Sequence, residues 1–182
     1  MIYNKIRLLA IPGSLRPGSS TGAVVNIIAN LVPGDVEFNI YDGLRNIPAF
    51  DDSSQLPGPV TNFIREINEA DAVLFCIPEY AFGVPGALKN ALDWTVSSTA
   101  FTDKPTALIT AASGGEKAHE AFSLTLHALG SRLSEETKLL LSHIKAKLDD
   151  KGRMKDLNSL ISLKQVVGAL LHSIEISRIT AQ

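Results

Sequence analysis

Ile6-Arg7-Leu8-Leu9-Ala10-Ile11-Pro12-Gly13-Ser14-Leu15-Arg16-Pro17-Gly18-Ser19-Ser20-Thr21 carries the reading of the whole chain. Ile6 to Ile11 is apolar apart from Arg7, the pattern of a strand buried on both faces of a sheet. From Thr21 to Leu31 the residues Val24, Ile27, Ile28 and Leu31 recur at helical spacing, and Pro33-Gly34 ends the run. Between the two, Gly13 to Thr21 holds two glycines, four hydroxyls and one guanidinium, and no carboxylate. The start of a helix presents unpaired N–H groups and a partial positive charge, so this loop suits a phosphate monoester. Amides from Arg16 to Ser20 can form a concave nest, Ser14, Ser19 and Thr21 can donate hydroxyls, and Arg16 can add a forked, charge-assisted contact. A plain helix cap uses the same residue types but needs a single hydroxyl. The spacing is neither that of a Walker A loop nor Gly-x-Gly-x-x-Gly.

Outward from this stretch, apolar runs and amphipathic runs alternate. Strands are expected at Val36–Tyr41, nearer a sheet edge because it alternates, at Ala72–Ile77, the most apolar and so central, at Thr106–Ala111 and at Lys138–Leu141. Helices are expected at Val60–Asn68 with Ile64 and Ile67 inward, Gly86–Thr95 behind Pro85, Glu116–Leu129 closed by Gly130, and Leu157–Ile176. Five strands alternating with five helices imply one α/β domain over residues 1–182: a flavodoxin-like three-layer sandwich with a five-stranded parallel sheet in the order 2-1-3-4-5. Ligands of such sheets bind beyond the carboxyl ends of the strands, where strands one and three diverge.

Two more loops fall at that end. Pro78-Glu79-Tyr80-Ala81-Phe82-Gly83-Val84-Pro85-Gly86 leaves the central strand with two aromatics and stiffening prolines. A flat apolar ring could lie against its backbone, or its aromatics could fill the core as a rigid turn. Ala112-Ser113-Gly114-Gly115 lacks bulk, so its backbone can come close to a planar ligand. A pocket with a phosphate end and a flat-ring end fits a mononucleotide-sized cofactor, and FMN best.

Composition sets the outer bounds. The 182 residues are 45% hydrophobic with a net charge of −2, enough for a sizeable core and without the basic excess of a general nucleic-acid binder. The single Cys76 lies in an apolar run and reads as an inert core thiol. His119, His127, His143 and His172 do not cluster, and Asp51-Asp52 reads as a solvated loop, so no metal site is expected. Lys145, Lys147, Lys151, Arg153 and Lys155 are interrupted by acidic and polar residues and read as solvated surface. Leu88 and Trp94 suit either the core or a second subunit. Met1 to Lys5 carries no leader pattern and Leu8 to Pro12 is too short to span a bilayer, which points to a cytoplasmic protein without membrane partners.

At Gly13-Ser14-Leu15-Arg16 with Gly18-Ser19, and at Pro78-Glu79-Tyr80 with Val84-Pro85-Gly86-Ala87-Leu88-Lys89-Asn90-Ala91-Leu92-Asp93-Trp94, the chain resembles the NADPH-dependent FMN reductase family. That family includes flavin-dependent quinone, chromate and azo-dye reductases. Lys147-Leu148-Asp149-Asp150-Lys151-Gly152-Arg153 is similar to a late family segment. The resemblance implies that Ser14, Leu15, Arg16, Ser19, Ser20 and Thr21 surround the FMN phosphate. It implies that Pro78, Glu79, Tyr80, Ala81 and Phe82 border the isoalloxazine, with Ser113 and Gly114 on its other side. It also implies NADPH or NADH as co-substrate, a small-molecule electron acceptor, and a homodimer or homotetramer with the second signature near the interface. Four positions depart from the family's habit: Ala81 stands where Asn is common, Gly83 where Ser is, Thr21 where Asn is, and Pro12 where a small hydroxyl residue is.

Three functions are consistent with these residues. The first is an FMN-dependent NAD(P)H oxidoreductase whose flavin carries the chemistry, so that no protein nucleophile or acid–base pair is required. The second is a flavodoxin-type electron carrier, against which Arg16 and the low net charge argue. The third is a non-redox mononucleotide-binding module, favoured by the missing polar side chains at Ala81 and Gly83.

Overall fold

Successive side chains of a strand point to opposite faces of its sheet. In a computed structural model, which describes residues 5–180, that alternation sorts the core into two halves. Leu9, Ile11, Val73, Phe75, Ile77 and Leu108 face one side, and Leu8, Ala10, Leu74, Cys76, Ala107 and Ile109 the other. Their strands are β1 (Ile6–Pro12), β3 (Ala72–Ile77) and β4 (Thr106–Ala111), flanked by β2 (Val36–Ile40) and β5 (Lys138–Leu141). All neighbours pair in parallel, in the order β2-β1-β3-β4-β5 expected above. β2 is at one edge and β3, buried at every position, is in the centre.

The helices cover both faces. On the first side lie α2 (Gly58–Glu69), α3 (Gly86–Asp93) and α4 (Glu116–Ala128), through Phe63 and Ile67, Leu88 and Leu92, and Phe122 and Leu126. On the second lie α1 (Ser20–Ala29) and α6 (Leu157–Thr180), through Val24, Val25 and Ile28, and Leu163, Val167, Leu170 and Ile174. Burial of these aliphatic and aromatic side chains supplies the main favourable term, about 25 cal/mol per Å² of apolar surface.

Several local expectations are corrected. A one-turn helix, α5 (Ile144–Lys147), follows β5. α2 begins at Gly58, because Pro59 already has the backbone angle of a first helical turn. Its anchor is Phe63, fully buried, whereas Ile64 is only partly so. β1 runs on through Pro12, which lies opposite Cys76 and extends the strand by one residue. α6 continues beyond Ile176.

Leu88 and Trp94 belong to this chain's own core, at 0% and 2% exposure. The Trp94 indole N–H donates to the Pro48 carbonyl at 2.9 Å, and Phe50 packs edge-on against the ring. Asn90 clamps the same segment, accepting from the Phe50 amide and donating to the Pro48 carbonyl, each at 2.8 Å. Cys76 is fully buried, and burial pushes its thiol pKa well up. Among the described residues one helix, Leu157–Ile179, is long and apolar enough to cross a membrane, and its inward side chains are packed on the sheet. Met1 to Asn4, part of the opening read for a leader, lie outside the described residues.

Candidate functional site

Parallel strands put their carboxyl ends on one edge, and the loops leaving β1, β3, β4 and β5 meet there around a cleft of about 310 Å³. Loop one contributes Ser14, Arg16, Ser19, Ser20 and Thr21; loop two contributes Pro78, Glu79 and Tyr80. Ala111, Ala112 and Ser113 follow β4, and Ile144 and Lys145 come from α5. Leu15, Ala81, Phe82 and Gly114 do not line it.

Loop one starts with a close approach. The Gly13 amide donates to the Cys76 carbonyl at 2.8 Å, and a methyl group on Gly13 would meet Ile77 and Leu88 at 3.1 and 3.2 Å. The chain then turns into α1 with Ser19 as N-cap, whose Oγ accepts from the Gly22 amide at 3.1 Å. Ser19 and Thr21 share a hydroxyl–hydroxyl bond of 3.0 Å and are nearly buried. The Ser20 and Thr21 amides are orphans of the first turn and bond to no described protein acceptor. No acidic residue stands in that turn. Arg16 makes no ion pair among the described residues, and its amide donates to Ser14 Oγ at 3.3 Å. Arg45, from the turn after β2, donates to the Leu15 carbonyl at 3.0 Å and pins the loop from behind. Leu15 is therefore held by its backbone, with its side chain outside the cleft.

Loop two closes on itself. Tyr80 and Gly83 exchange amide–carbonyl bonds of 3.1 and 2.9 Å, with Ala81 at φ +49° and Phe82 at φ +57° between them. Two central residues at positive φ make a type I′ turn, a geometry that suits Asn and Gly and strains Ala and Phe. Phe82 projects into solvent, 81% exposed. Tyr80 turns the other way, and its hydroxyl bonds Ser14 Oγ at 3.1 Å, joining loops one and two across the cleft.

Glu79 joins loops two and three. Its carboxylate accepts from the Ala118 amide at 2.9 Å and the Gly115 amide at 3.3 Å. It thus caps α4, whose own N-cap position, Gly115, has no side chain to do so. Gly115 is required by the fold: its φ is +114°, and a methyl group there would lie 2.8 Å from Leu140. The sequence suggests the glycine pair as an opening for a planar ligand; at Gly115 the reason is this packing.

The sequence reading missed Ile144 and Lys145. The His143 and Ile144 amides donate to the Ser113 and Ala112 carbonyls, both at 3.1 Å, which draws α5 to the cleft. Lys145 belongs to the basic run whose interrupting acidic and polar residues mark it as solvated surface. Its position four residues past the end of β5 was the available signal, since every carboxyl end of the sheet opens on this edge.

The model of a family described as NADPH-dependent FMN reductase matches residues 6–145. The chain belongs to that family. An NAD(P)H-dependent FMN reductase of Pseudomonas aeruginosa is 31% identical over 173 residues, covering 91% of this chain and 93% of the relative. A quinone reductase of Pseudomonas putida is 30% identical over 80% of this chain and 83% of its own length. Among solved structures, the flavoenzyme NAD(P)H:(acceptor) oxidoreductase of Paracoccus denitrificans shares the fold, with a TM-score of 0.82 and 24% identity over 93% of this chain and 97% of that one. As a member of the NADPH-dependent FMN reductase family the chain is an oxidoreductase with FMN as cofactor and a reduced nicotinamide as co-substrate. The donor set at the start of α1, amides and hydroxyls with an unpaired guanidinium, fits the phosphate of that cofactor. The family match ends before Lys147–Arg153, the late segment likened to it above.

Proposed function

We propose that this cleft holds FMN by its phosphate at the start of α1 and by its ring against loops two and three, and that the enzyme serves a small soluble electron acceptor. Ser14, Arg16, Ser20 and Thr21 hold the phosphate, with Ser19 shaping the cap. Pro78, Glu79 and Tyr80 border the ring on one side, with Ala81 and Phe82 forming the turn behind them. Ser113 borders it on the other, with Gly114 next to it in the chain, and Lys145 adds a cation from α5. The observation that carries the reading is the set of donor-bearing residues of loop one on the lining of a single cleft, with no carboxylate in the first turn of α1.

FMN, when bound, supplies the hydride and electron chemistry. The protein's part is to orient and to restrain. The Tyr80–Ser14 bond fixes the width between loops one and two. The Glu79 carboxylate fixes loop two relative to α4. Turn Tyr80–Gly83 leaves the Phe82 ring exposed to solvent, two residues from Tyr80 in the cleft wall, where it can meet flat substrates. Quinones, flavins, azo compounds and metal oxyanions are the candidate acceptors; the quinone reductase among the relatives supports the first. The chain acts as one domain in the cytoplasm, as a homodimer or homotetramer. Exposed Tyr80, Phe82 and Val96 near the second signature support that association.

The test is direct. Purified protein given FMN should show a bound-flavin visible spectrum and should oxidise NADPH or NADH steadily in the presence of a benzoquinone, with parallel double-reciprocal lines. Protein that stays colourless after FMN addition refutes the reading. Bound flavin without nicotinamide turnover leaves an electron carrier instead.

A further inference from the structure

A second cavity, about 840 Å³, runs along α1 and meets the first at the phosphate end. The two share Ser14, Arg16 and Ser19. A ligand that continues past the flavin phosphate therefore enters this groove. We propose that it takes the adenylate half of FAD, so that the chain binds the flavin dinucleotide as well as FMN. The proposal rests on the flavin phosphate lying at the start of α1.

The groove has the parts an adenylate needs. Two cations line the groove, Arg16, which it shares with the cleft, and Lys151, neither of them in an ion pair among the described residues. They suit a second phosphate. Arg153 also reaches the groove, but its guanidinium is engaged by Asp149 at 2.7 Å, and Asp150 is the one carboxylate on the wall. Further along, Gly22, Ala23 and Gly152 present little bulk, and Ile27 and Met154 supply an apolar floor. Asn26, exposed on α1, places a side-chain amide where a purine edge could be read.

The far wall is preformed. Asp149 Oδ1 accepts from the Lys151 and Arg153 amides at 2.9 and 2.8 Å, and Leu148 bridges Met154. A methyl group on Gly152 would lie 3.4 Å from Ala23 Cβ, so this turn sits close against α1. A wall already ordered removes part of the entropic cost of binding. The volume lies within the range of about 300–1,000 Å³ common for small-ligand sites.

The experiment is a pair of titrations, FMN and FAD, followed by flavin fluorescence. It uses the full chain and two variants, Lys151→Glu and Asn26→Trp. Both positions are exposed, and retained FMN affinity reports an intact fold. In the unsubstituted protein FAD should bind within about tenfold of FMN. Each variant should weaken FAD by about tenfold or more, Lys151→Glu through one lost charge-assisted contact and Asn26→Trp by filling the groove, and leave FMN within about twofold. Tight FMN with FAD about a hundredfold weaker or worse overturns the groove and leaves the cleft reading standing. Equal weakening of both flavins by the variants also overturns it. Failure of both flavins with the unsubstituted protein overturns the cleft reading and this one together.

Discussion

Gly13–Thr21 and Pro78–Gly86 leave neighbouring strands and face each other across one cleft, yet they dispose of their polar groups in opposite ways. In the first, the Ser20 and Thr21 amides and the Arg16 guanidinium have no described protein partner. In the second, the Glu79 carboxylate is bound to α4, the Tyr80 hydroxyl to Ser14, and the amides of Tyr80 and Gly83 to each other's carbonyls. One loop offers donors; the other is a strut. Two stretches of equal length in the sequence, one rich in hydroxyls and the other in aromatics and prolines, thus differ in what remains for a ligand.

Substitutions should separate donor from strut. The largest expected effect is on the donor side. Arg16→Ala should weaken FMN binding by about 1.5–3 kcal/mol with little change in stability, read by fluorescence titration and urea melting. Unchanged affinity would remove Arg16 from the phosphate site. On the strut side the pattern should invert. Glu79→Ala should cost about 0.5–2 kcal/mol of stability through the lost cap, visible as a lower urea midpoint. A large loss of FMN affinity with no loss of stability would mean that Glu79 acts on the ring directly and not through the cap.

A smaller effect of opposite sign is expected at the strained turn. Phe82→Gly should raise stability by about 0.5–1 kcal/mol, because glycine takes positive φ without a Cβ clash at some cost in chain entropy. Destabilisation would mean that Phe82 is held by contacts beyond the turn.

The smallest effect concerns acid. His119, one turn into α4 and bonded to Thr110 Oγ1 at 2.8 Å, has its pKa lowered, mainly by burial and then by Lys138. A folded value below the unfolded one means that the unfolded chain takes up the proton first as pH falls. The contribution is complete above about pH 6.5 and is lost as pH drops towards the folded value. His119→Gln should flatten that slope in melts between about pH 7 and 5. An identical slope would assign the acid sensitivity to other groups.

Much of the fold was legible because apolar periodicity is strong in its strands. β3, β4 and β5 lie where the hydrophobic runs place them, and the alternating Val36–Tyr41 run lies at an edge. Helix ends were less legible: α2 starts at Gly58 on a proline signal, and α6 outlasts its periodic core face. α5 escaped notice because one turn carries no period. In the cleft, hydroxyls and glycines identified loop one. The strut role of Glu79 was not legible, because the amides it caps lie 36 and 39 residues away in the chain. Nor was the positive φ at Ala81 and Phe82, since neither residue type announces it.

The lone sulfhydryl of this protein belongs to the central strand and is shielded on every side. Maleimides and other alkylating reagents therefore find no target on the folded surface. A single Phe82→Cys exchange would give one exposed labelling point two residues from Tyr80 in the cleft wall, and a dye attached there would report molecules coming and going without background from the interior.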